Sequence, residues 1–474
     1  MAIKDIMGTG RSGMMSAKTA IATAGHNVTN ANTKGFSRQR VEMATHVPRA
    51  LGPGNYIGRG SYVAGINRVN DQYLEKQIRT VGREMAGAEE KGLHFKNIED
   101  IFNELNGDGL NRLVAGFFNE FRQLANDPAS GAVRQSVMET TNALVNDFKR
   151  IREELDSVRS HIDSRIEGYV SEVNSQARNI ADLNIRIKQV TAAGGNPNDL
   201  LDQRDTALKN IEELIDVWPQ RDKNDGISLI IRNVGPLVSG TEAETLSVAR
   251  TQANEEEGKE ANAYDVQFSG SATKTITHAL EGGKLGALIQ VRDKTLTELT
   301  NRLDQLAYSI SNAVNQIHEK GVSRKNETGI KFFKEIQDVK GAAGAFQLSD
   351  TIRADANNIA AGVEANAPGD NRVAIAISGL QNLRLMKEGT VSFDDWYNSM
   401  VSEVGVNTAR NQEFLAQQES IKSQLTNLRD QISGVSLDEE TTNLMQFQHM
   451  YDASARMITI ADEMLGTILK LRPL

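Results

Sequence analysis

The sequence predicts a mainly α protein with a small β-rich insertion, in which paired N- and C-terminal helices and a long-helix bundle are assembled from discontinuous segments. Three observations predict it. Apolar residues recur at helical spacing over most of the 474 residues. Seven-residue stripes mark both ends of the chain. Only residues 225–282 switch to short runs of β type.

At the N-terminus Met7, Met14, Ile21 and Val28 recur every seven residues, with Gly10, Ala17, Ala24 and Ala31 three places later. A seam that alternates large and very small side chains lets helices approach closely. Lys4, Arg11 and Lys18 run beside it as a basic stripe. At the C-terminus Leu437, Leu444, Tyr451, Ile458 and Leu465 keep the same period. Phe447, Ser454, Ala461 and Ile468 fall between them, and Met450, Met457 and Met464 widen the stripe. The first helix is net basic and the last net acidic, which suits pairing with each other or with neighbours. A helical hairpin closing one core would carry the same pattern.

Between the ends, Ile162, Ile166, Tyr169, Val173, Ala177, Ile180, Leu183, Ile187 and Val190 give a helix of about 30 residues, or about 45 Å. Gly194-Gly195 ends it. Asn196 is expected to cap the next helix, with Pro197 in its first turn. A third run passes through Ile289, Leu296, Leu303, Ile310 and Ile317. A fourth spans Trp396 to Ile432, and Ser433-Gly434 breaks it before the terminal helix. In 225–282, GISLII, PLVSG, ETLSVA, YDVQFSG and TKTITHAL read as strands, and EEEGKE at 255–260 as a solvated loop. The segment 324–378 is irregular, with one apparent strand, AFQLS.

Composition narrows the chemistry. The net charge of −9 disfavours nucleic acid as a partner. Residues 1–50 nevertheless hold seven Lys/Arg and two acids, which points to a partner with acidic complementarity. At 5% aromatic residues, no large aromatic core or nucleobase platform is expected. The absence of cysteine excludes thiolate metal sites, Cys nucleophiles and disulfides. No run has the roughly 18 apolar residues of a membrane span. The N-terminus lacks the apolar region of a cleaved signal, so export would use another route.

Catalytic motifs are missing. EGGKLG at 281–286 lacks the spacing and hydroxyl of a P-loop. The seven histidines are scattered singly, so no metal site is expected. Acid pairs such as Asp202/Asp205 fall on polar helix faces, solvated or salt-bridged. GTGRSG, with Gly8, Gly10 and Gly13, matches a dinucleotide fingerprint. Such a site needs a preceding strand and an acid some 20 residues on, and neither is present. No catalytic residue, cofactor or metal ligand is assigned.

The segment SGMMSAKTAIATAGHNVTNANTKGFSRQRVEM resembles the N-terminal signature of bacterial flagellar axial proteins. Its turn is Asn30, Ala31, Asn32, Thr33, Gly35, Phe36, Ser37, Arg38 and Gln39. The segment SGVSLDEETTNLMQFQHMYDASARMITIADEMLGTILKL resembles their C-terminus. These ends alone fit rod, hook or junction proteins. FNELNGDGLNRLVAGFFNEFRQLANDPAS, NPNDLLDQRD and EGGKLGALIQVRD are similar to the hook-associated protein 1 family, the proteins of the hook–filament junction. The insertion at 225–282 is short for that family's β domain.

The resemblance implies a non-enzymatic structural component of the flagellum, an adaptor between hook and filament. It implies export by the flagellar type III route without a cleaved signal, and an extracellular place at the distal hook. Implied partners are further copies of the chain, hook protein, a second junction protein towards the filament and an export chaperone, with no nucleic acid and no membrane insertion. The terminal helices would line an inner tube and stay disordered until assembly. The glycines weaken the first helix by about 1 kcal/mol each relative to alanine, which fits. Expected units are a terminal axial domain (1–61 and 433–474), a bundle (62–224, 283–335 and 379–432), a small β domain (225–282) and an irregular segment (336–378). The expected assembly residues are Met7, Gly10, Met14, Ala17, Ile21, Ala24, Val28, Leu444, Phe447, Tyr451, Ile458, Leu465 and Ile468, with the signature turn Asn30, Asn32, Gly35, Phe36, Ser37, Arg38 and Gln39. Another axial protein of hook or rod type, or a cytoplasmic coiled-coil scaffold, are the alternatives.

Overall fold

The computed structural model describes residues 2–52, 55–102, 109–222, 226–250, 264–269 and 275–470. The EEEGKE stretch lies outside them.

The first helix, α1 (Ala2–Thr29), ends before Ala31, so that member of the expected seam sits in the following turn. A β-hairpin then follows that the helical reading of residues 1–61 missed. Strands β1 (Gln39–Thr45) and β4 (Ser61–Arg68) pair antiparallel from Gln39–Arg68 to Thr45–Ser61. The short β2 (Arg49–Gly52) and β3 (Asn55–Ile57) form its tip. The limit expected between residues 61 and 62 therefore falls inside β4. Strand pairing, a non-local contact, overrides the local pattern there.

The body is built on long helices. Helix α2 (Gln72–Phe102) leads to α3 (Leu110–Asn126) and α4 (Gly131–Ala192). At 62 residues, α4 spans about 93 Å, roughly twice the rod read from the sequence. Its buried stripe begins well before Ile162, at Val137, Thr141, Leu144, Phe148, Ile151 and Leu155. Ser130 caps it by accepting the Val133 amide. It stops at Gly194, whose φ of +76° suits glycine.

Helix α5 (Asn198–Leu214) starts later than expected. Pro197 occupies the cap position, Asn196 does not cap, and the Pro197 carbonyl accepts the Leu201 amide at 2.9 Å. A residue before proline is turned away from helical backbone, so the helix opens after the ring.

The small sheet has the order β5 (Val217–Arg221), β6 (Ile227–Ile231), β7 (Gly235–Ser239), β8 (Glu242–Ala243), all antiparallel. Strands β9 (Leu246–Arg250) and β10 (Tyr264–Phe268) pair beside it. The sheet begins before residue 225, because Val217–Arg221 joins as an edge strand where Pro219 is tolerated. TKTITHAL is no strand among the described residues. Thr275 makes one bridge to Gln267, and Thr277–Ala279 is a 3-10 turn.

Helices α6 (Gly283–Gln290) and α7 (Thr297–His318) continue through a π-turn at Val291–Leu296. The buried Arg292 in that turn bonds Asp163 of α4 and the Tyr264 carbonyl of β10, both at 2.7 Å. The irregular segment holds β11 (Val322–Ser323), α8 (Ala342–Ala345), α9 (Asp350–Ala354), β12 (Ala360–Gly362) and α10 (Arg372–Gly379). The expected strand AFQLS makes only a bridge from Leu348 to Phe333. Its apolar residues Phe346 and Leu348 are buried as core plugs instead. Helix α11 (Phe393–Ser433) returns along α2, and α12 (Leu437–Lys470) closes the chain.

Despite the low aromatic content, one part of the mainly aliphatic core is an aromatic cluster. Phe117, Phe118, Phe121, Phe148, Phe332, Phe333, Phe346 and Phe393 are all fully buried. Ring centroids in this cluster approach to 4.6 Å for Phe333–Phe346 and 4.8 Å for Phe332–Phe333. A whole-chain average hides residues concentrated in one place. Phe117→Ala should destabilise the body by about 3–5 kcal/mol, read as a lowered urea midpoint with an unchanged slope.

His318 is buried beside this cluster. Its Nδ1–H donates to the Ile330 carbonyl at 2.7 Å, and Nε2 accepts the Ala360 amide at 2.9 Å. Burial lowers its pKa to about 4. Protonation would cancel the second bond. Between the unfolded value near 6.5 and the folded value the unfolded chain binds more protons, so stability falls as pH drops through this window, by roughly 3 kcal/mol in all. Urea midpoints from pH 8 to 4 should show this slope, and His318→Gln should lose it.

Candidate assembly interface

Small side chains decide how α1 meets α12. On α1 the buried residues are Gly10, Ser16, Ala17, Ala20, Thr23, Ala24 and Asn27. On α12 they are Glu440, Ser454 and Ala461. A Cβ at Gly10 would lie 2.8 Å from Ile458 Cγ1 and 3.0 Å from the Ser454 carbonyl oxygen. One at Gly13 would lie 2.6 Å from Ser454 Oγ. At Gly8 nothing comes within 4 Å. With Gly10 opposite Ser454–Ile458 and Asn27 opposite Glu440, the two helices are antiparallel.

The large residues of the predicted seam occupy a different place. Met7, Met14, Ile21 and Val28 are only half-buried, as are Leu444, Phe447, Tyr451 and Ile458. Leu465 and Ile468 are 37% and 56% exposed. Met445, Met457, Ile460 and Met464 are exposed beside them. One copy of the chain thus seals the small residues and leaves much of the large apolar surface open.

The signature turn acts as a bracket. Asn32 is exposed, while Asn30, Gly35, Phe36, Ser37, Arg38 and Gln39 are half-buried. Gly35 has φ +85°, and a Cβ there would collide with the Thr206 hydroxyl of α5. The Phe36 ring packs edge-on to His26, centroids 5.4 Å apart. Arg38 pairs with Glu439 of the same chain at 2.7 Å, and its amide donates to the Ser433 carbonyl at 3.1 Å.

From Gln39 a polar network runs across five elements, and the sequence reading did not include most of its members. Asn27 of α1 donates to the Gln39 carbonyl at 2.8 Å and to Glu440 of α12 at 3.2 Å. The Gln39 amide donates back to Asn27 at 2.9 Å, and its side chain donates to Asp199 of α5 at 2.8 Å. Asn198 donates to the Ile66 carbonyl of β4 at 2.7 Å. The Ser37 amide donates to Asp202 at 3.0 Å. Arg68 closes the network with Asp202 at 2.7 Å and Asp205 at 3.0 Å. The Asp202/Asp205 face is therefore salt-bridged against β4, and Asp202 is buried rather than solvated. The conjunction of NPNDLLDQRD with the turn motif was the one available signal: each is a polar, glycine- or proline-marked stretch without chemistry of its own.

Among the described residues no group of three or more His, Asp or Glu could hold a metal, and no helix is long and apolar enough to cross a membrane.

Known proteins are similar to this chain in sequence and in fold. The model for the helical domain of flagellar hook-associated protein FlgK matches residues 95–333. The model for the C-terminal part of the flagellar basal body rod proteins FlgEFG matches residues 430–471. Flagellar hook-associated protein 1 of Bacillus subtilis is 28% identical over 97% of both chains. That of Escherichia coli is 26% identical over 99% of this chain and 100% of its own, in an alignment of 552 positions. The flagellar hook junction protein FlgK of Burkholderia pseudomallei has a structure with a TM-score of 0.65 at 16% identity, covering 75% of this chain and 100% of that one. With its helical body matched across half the chain and its full length aligned to two such relatives, the chain belongs to the flagellar hook-associated protein FlgK family.

Proposed function

We propose that this chain is a junction subunit of the flagellum that assembles between hook and filament after type III export, without catalysis. One observation carries the reading: α1 and α12 close on their small residues and leave Met7, Met14, Ile21, Leu465 and Ile468 for neighbouring copies. In this reading residues 1–61 and 433–474 form the axial part, with β4 carrying it to Arg68. The bundle and the small sheet face outward, and the segment 336–378 packs on the bundle. Hook protein lies on one side, a second junction protein on the other, and an export chaperone holds the chain before secretion. The match of residues 430–471 to the rod proteins supports a shared axial helix, while the helical body favours the junction over rod or hook.

Deleting the gene should leave hooks attached while filaments are lost and filament subunits appear in the medium. Normal filaments would refute the assignment. The large apolar residues of the terminal pair are only half-buried, so it opens at lower cost than the body in the lone chain. Limited proteolysis of dilute protein should therefore cut first before about residue 60 and after about residue 434, leaving a resistant body. Uniform resistance would count against terminal helices that await neighbours.

A further inference from the structure

The start of α4 gathers positive charge that the chain does not neutralise. Arg134, in the first turn of that helix, is 3% exposed. Its Nε donates to the Ile359 carbonyl at 3.1 Å, and its Nη1 to the carbonyls of Pro128 and Ser130 at 2.5 and 3.3 Å. All three acceptors are neutral, and among the described residues no carboxylate bonds Arg134. Arg324, which is exposed, donates from Nη1 to Asn357 Oδ1 at 3.1 Å and likewise bonds no acid among the described residues. Its guanidinium lies against the helix start, where a Cβ at Gly131 would stand 2.9 Å from Arg324 Nη1. First-turn amides lack intrahelical acceptors and form the positive end of the helix dipole, which disfavours cations there. Burial first, and then Arg324, push the Arg134 pKa below its ordinary value, against the pull of Asp127.

The neighbouring acids are taken. Asp355 pairs with Lys325 at 2.7 Å, and Glu364 and Asp370 pair with Arg372 at 2.7 and 2.8 Å. Asp370 also accepts the Val363 and Glu364 amides. Asp127 is exposed. Arg134 and Arg324 both line a cavity of about 330 Å³, bounded by Pro128, Ser323, Gly362 and Asp370. At about 30 Å³ per water, that is room for a small anion and its remaining hydration.

We propose that this cavity binds a small tetrahedral oxyanion such as phosphate, held between the guanidinium groups of Arg134 and Arg324 at the start of α4. The anion offsets a buried charge that is otherwise uncompensated. Guanidinium forks match oxyanion geometry, and such charge-assisted bonds are the strong ones. Bound there, it ties the turn between α3 and α4 to the end of β11 and to the loop after β12, segments far apart in sequence. The site belongs to the body, so it stands independently of the junction reading.

Titration of the full-length protein with inorganic phosphate, at neutral pH and constant ionic strength in chloride, should show one saturable site and a raised melting temperature. Arg324→Gln should weaken phosphate binding about tenfold or more. In chloride alone the same variant should be no less stable than wild type, because it removes a cation from the helix start; an arginine serving only as a structural tie would lose stability. Lys325→Gln alters the adjacent cation already paired with Asp355 and should bind phosphate as wild type does. A response to phosphate no greater than to chloride, undiminished binding by Arg324→Gln, or an equal loss from Lys325→Gln would each overturn the site.

Discussion

Gly10→Val is expected to separate α1 from α12 and to abolish filament attachment. The Cβ alone would stand 2.8 Å from Ile458 Cγ1 and 3.0 Å from the Ser454 carbonyl oxygen. The Ile458 side chain could turn aside. The carbonyl belongs to the backbone of α12 and cannot yield without moving the helix, and the two valine methyls extend the overlap. Overpacking of this kind costs about 1–3 kcal/mol in a core, and here it falls on a helix pair whose large apolar residues are only half-buried. Gly8→Ala is the matched control. It meets nothing within 4 Å and should raise the helicity of the lone chain, by about 1 kcal/mol of propensity. Circular dichroism and protease sensitivity of the two variants should move in opposite directions. Equal behaviour would mean that glycine at position 10 serves flexibility and not contact.

Arg68→Ala should give the largest loss of stability at the base of the terminal pair. It removes the partner of Asp202 and Asp205 at once, in a site where Arg68 and Asp202 have side chains only 10% and 9% exposed. Removing one member of a buried pair costs about 3–5 kcal/mol, because the remaining charge is left uncompensated. The loss should appear as a separate early transition for the N-terminal hairpin and terminal helices, with the phenylalanine core melting where it did before. Arg68→Ala combined with Asp202→Asn should be less harmful than the two single effects summed. If the double variant is simply additive, the pair is an incidental contact and the network is held by Asn27, Gln39 and Asn198.

Much of this architecture is readable in the sequence, and the unread parts share a cause. Helices reveal themselves by local period, so α1, α7, α11 and α12 are legible, and glycines mark the stops at 194 and 434. The hairpin from Gln39 to Arg68, the edge strand at Val217 and the true start of α4 depend on what each segment packs against. The phenylalanine core escapes because composition is averaged over the chain while Phe117–Phe118 and Phe332–Phe333 are doubled locally. At the interface, the spacing of Gly10, Ala17 and Ala24 picks out the buried edge of α1, and the larger residues of the same heptads stand at the margin. The network around Arg68 was invisible for a simple reason. Arginine, asparagine and aspartate at scattered positions look like ordinary solvated surface until the fold brings residues 27, 39, 68, 198 and 440 to one point.

Because α1 and α12 lie side by side in opposite directions and are bracketed at their common base, the chain leaves that base and comes back to it. Everything from Gln72 to Ser433 is a detour whose entry and exit are tied together. The length of a detour is free while its two ends are fixed. A segment added or lost within it changes how far the molecule reaches without changing where it is rooted, just as loops anchored at both ends tolerate insertion. One root can therefore carry superstructures of different size.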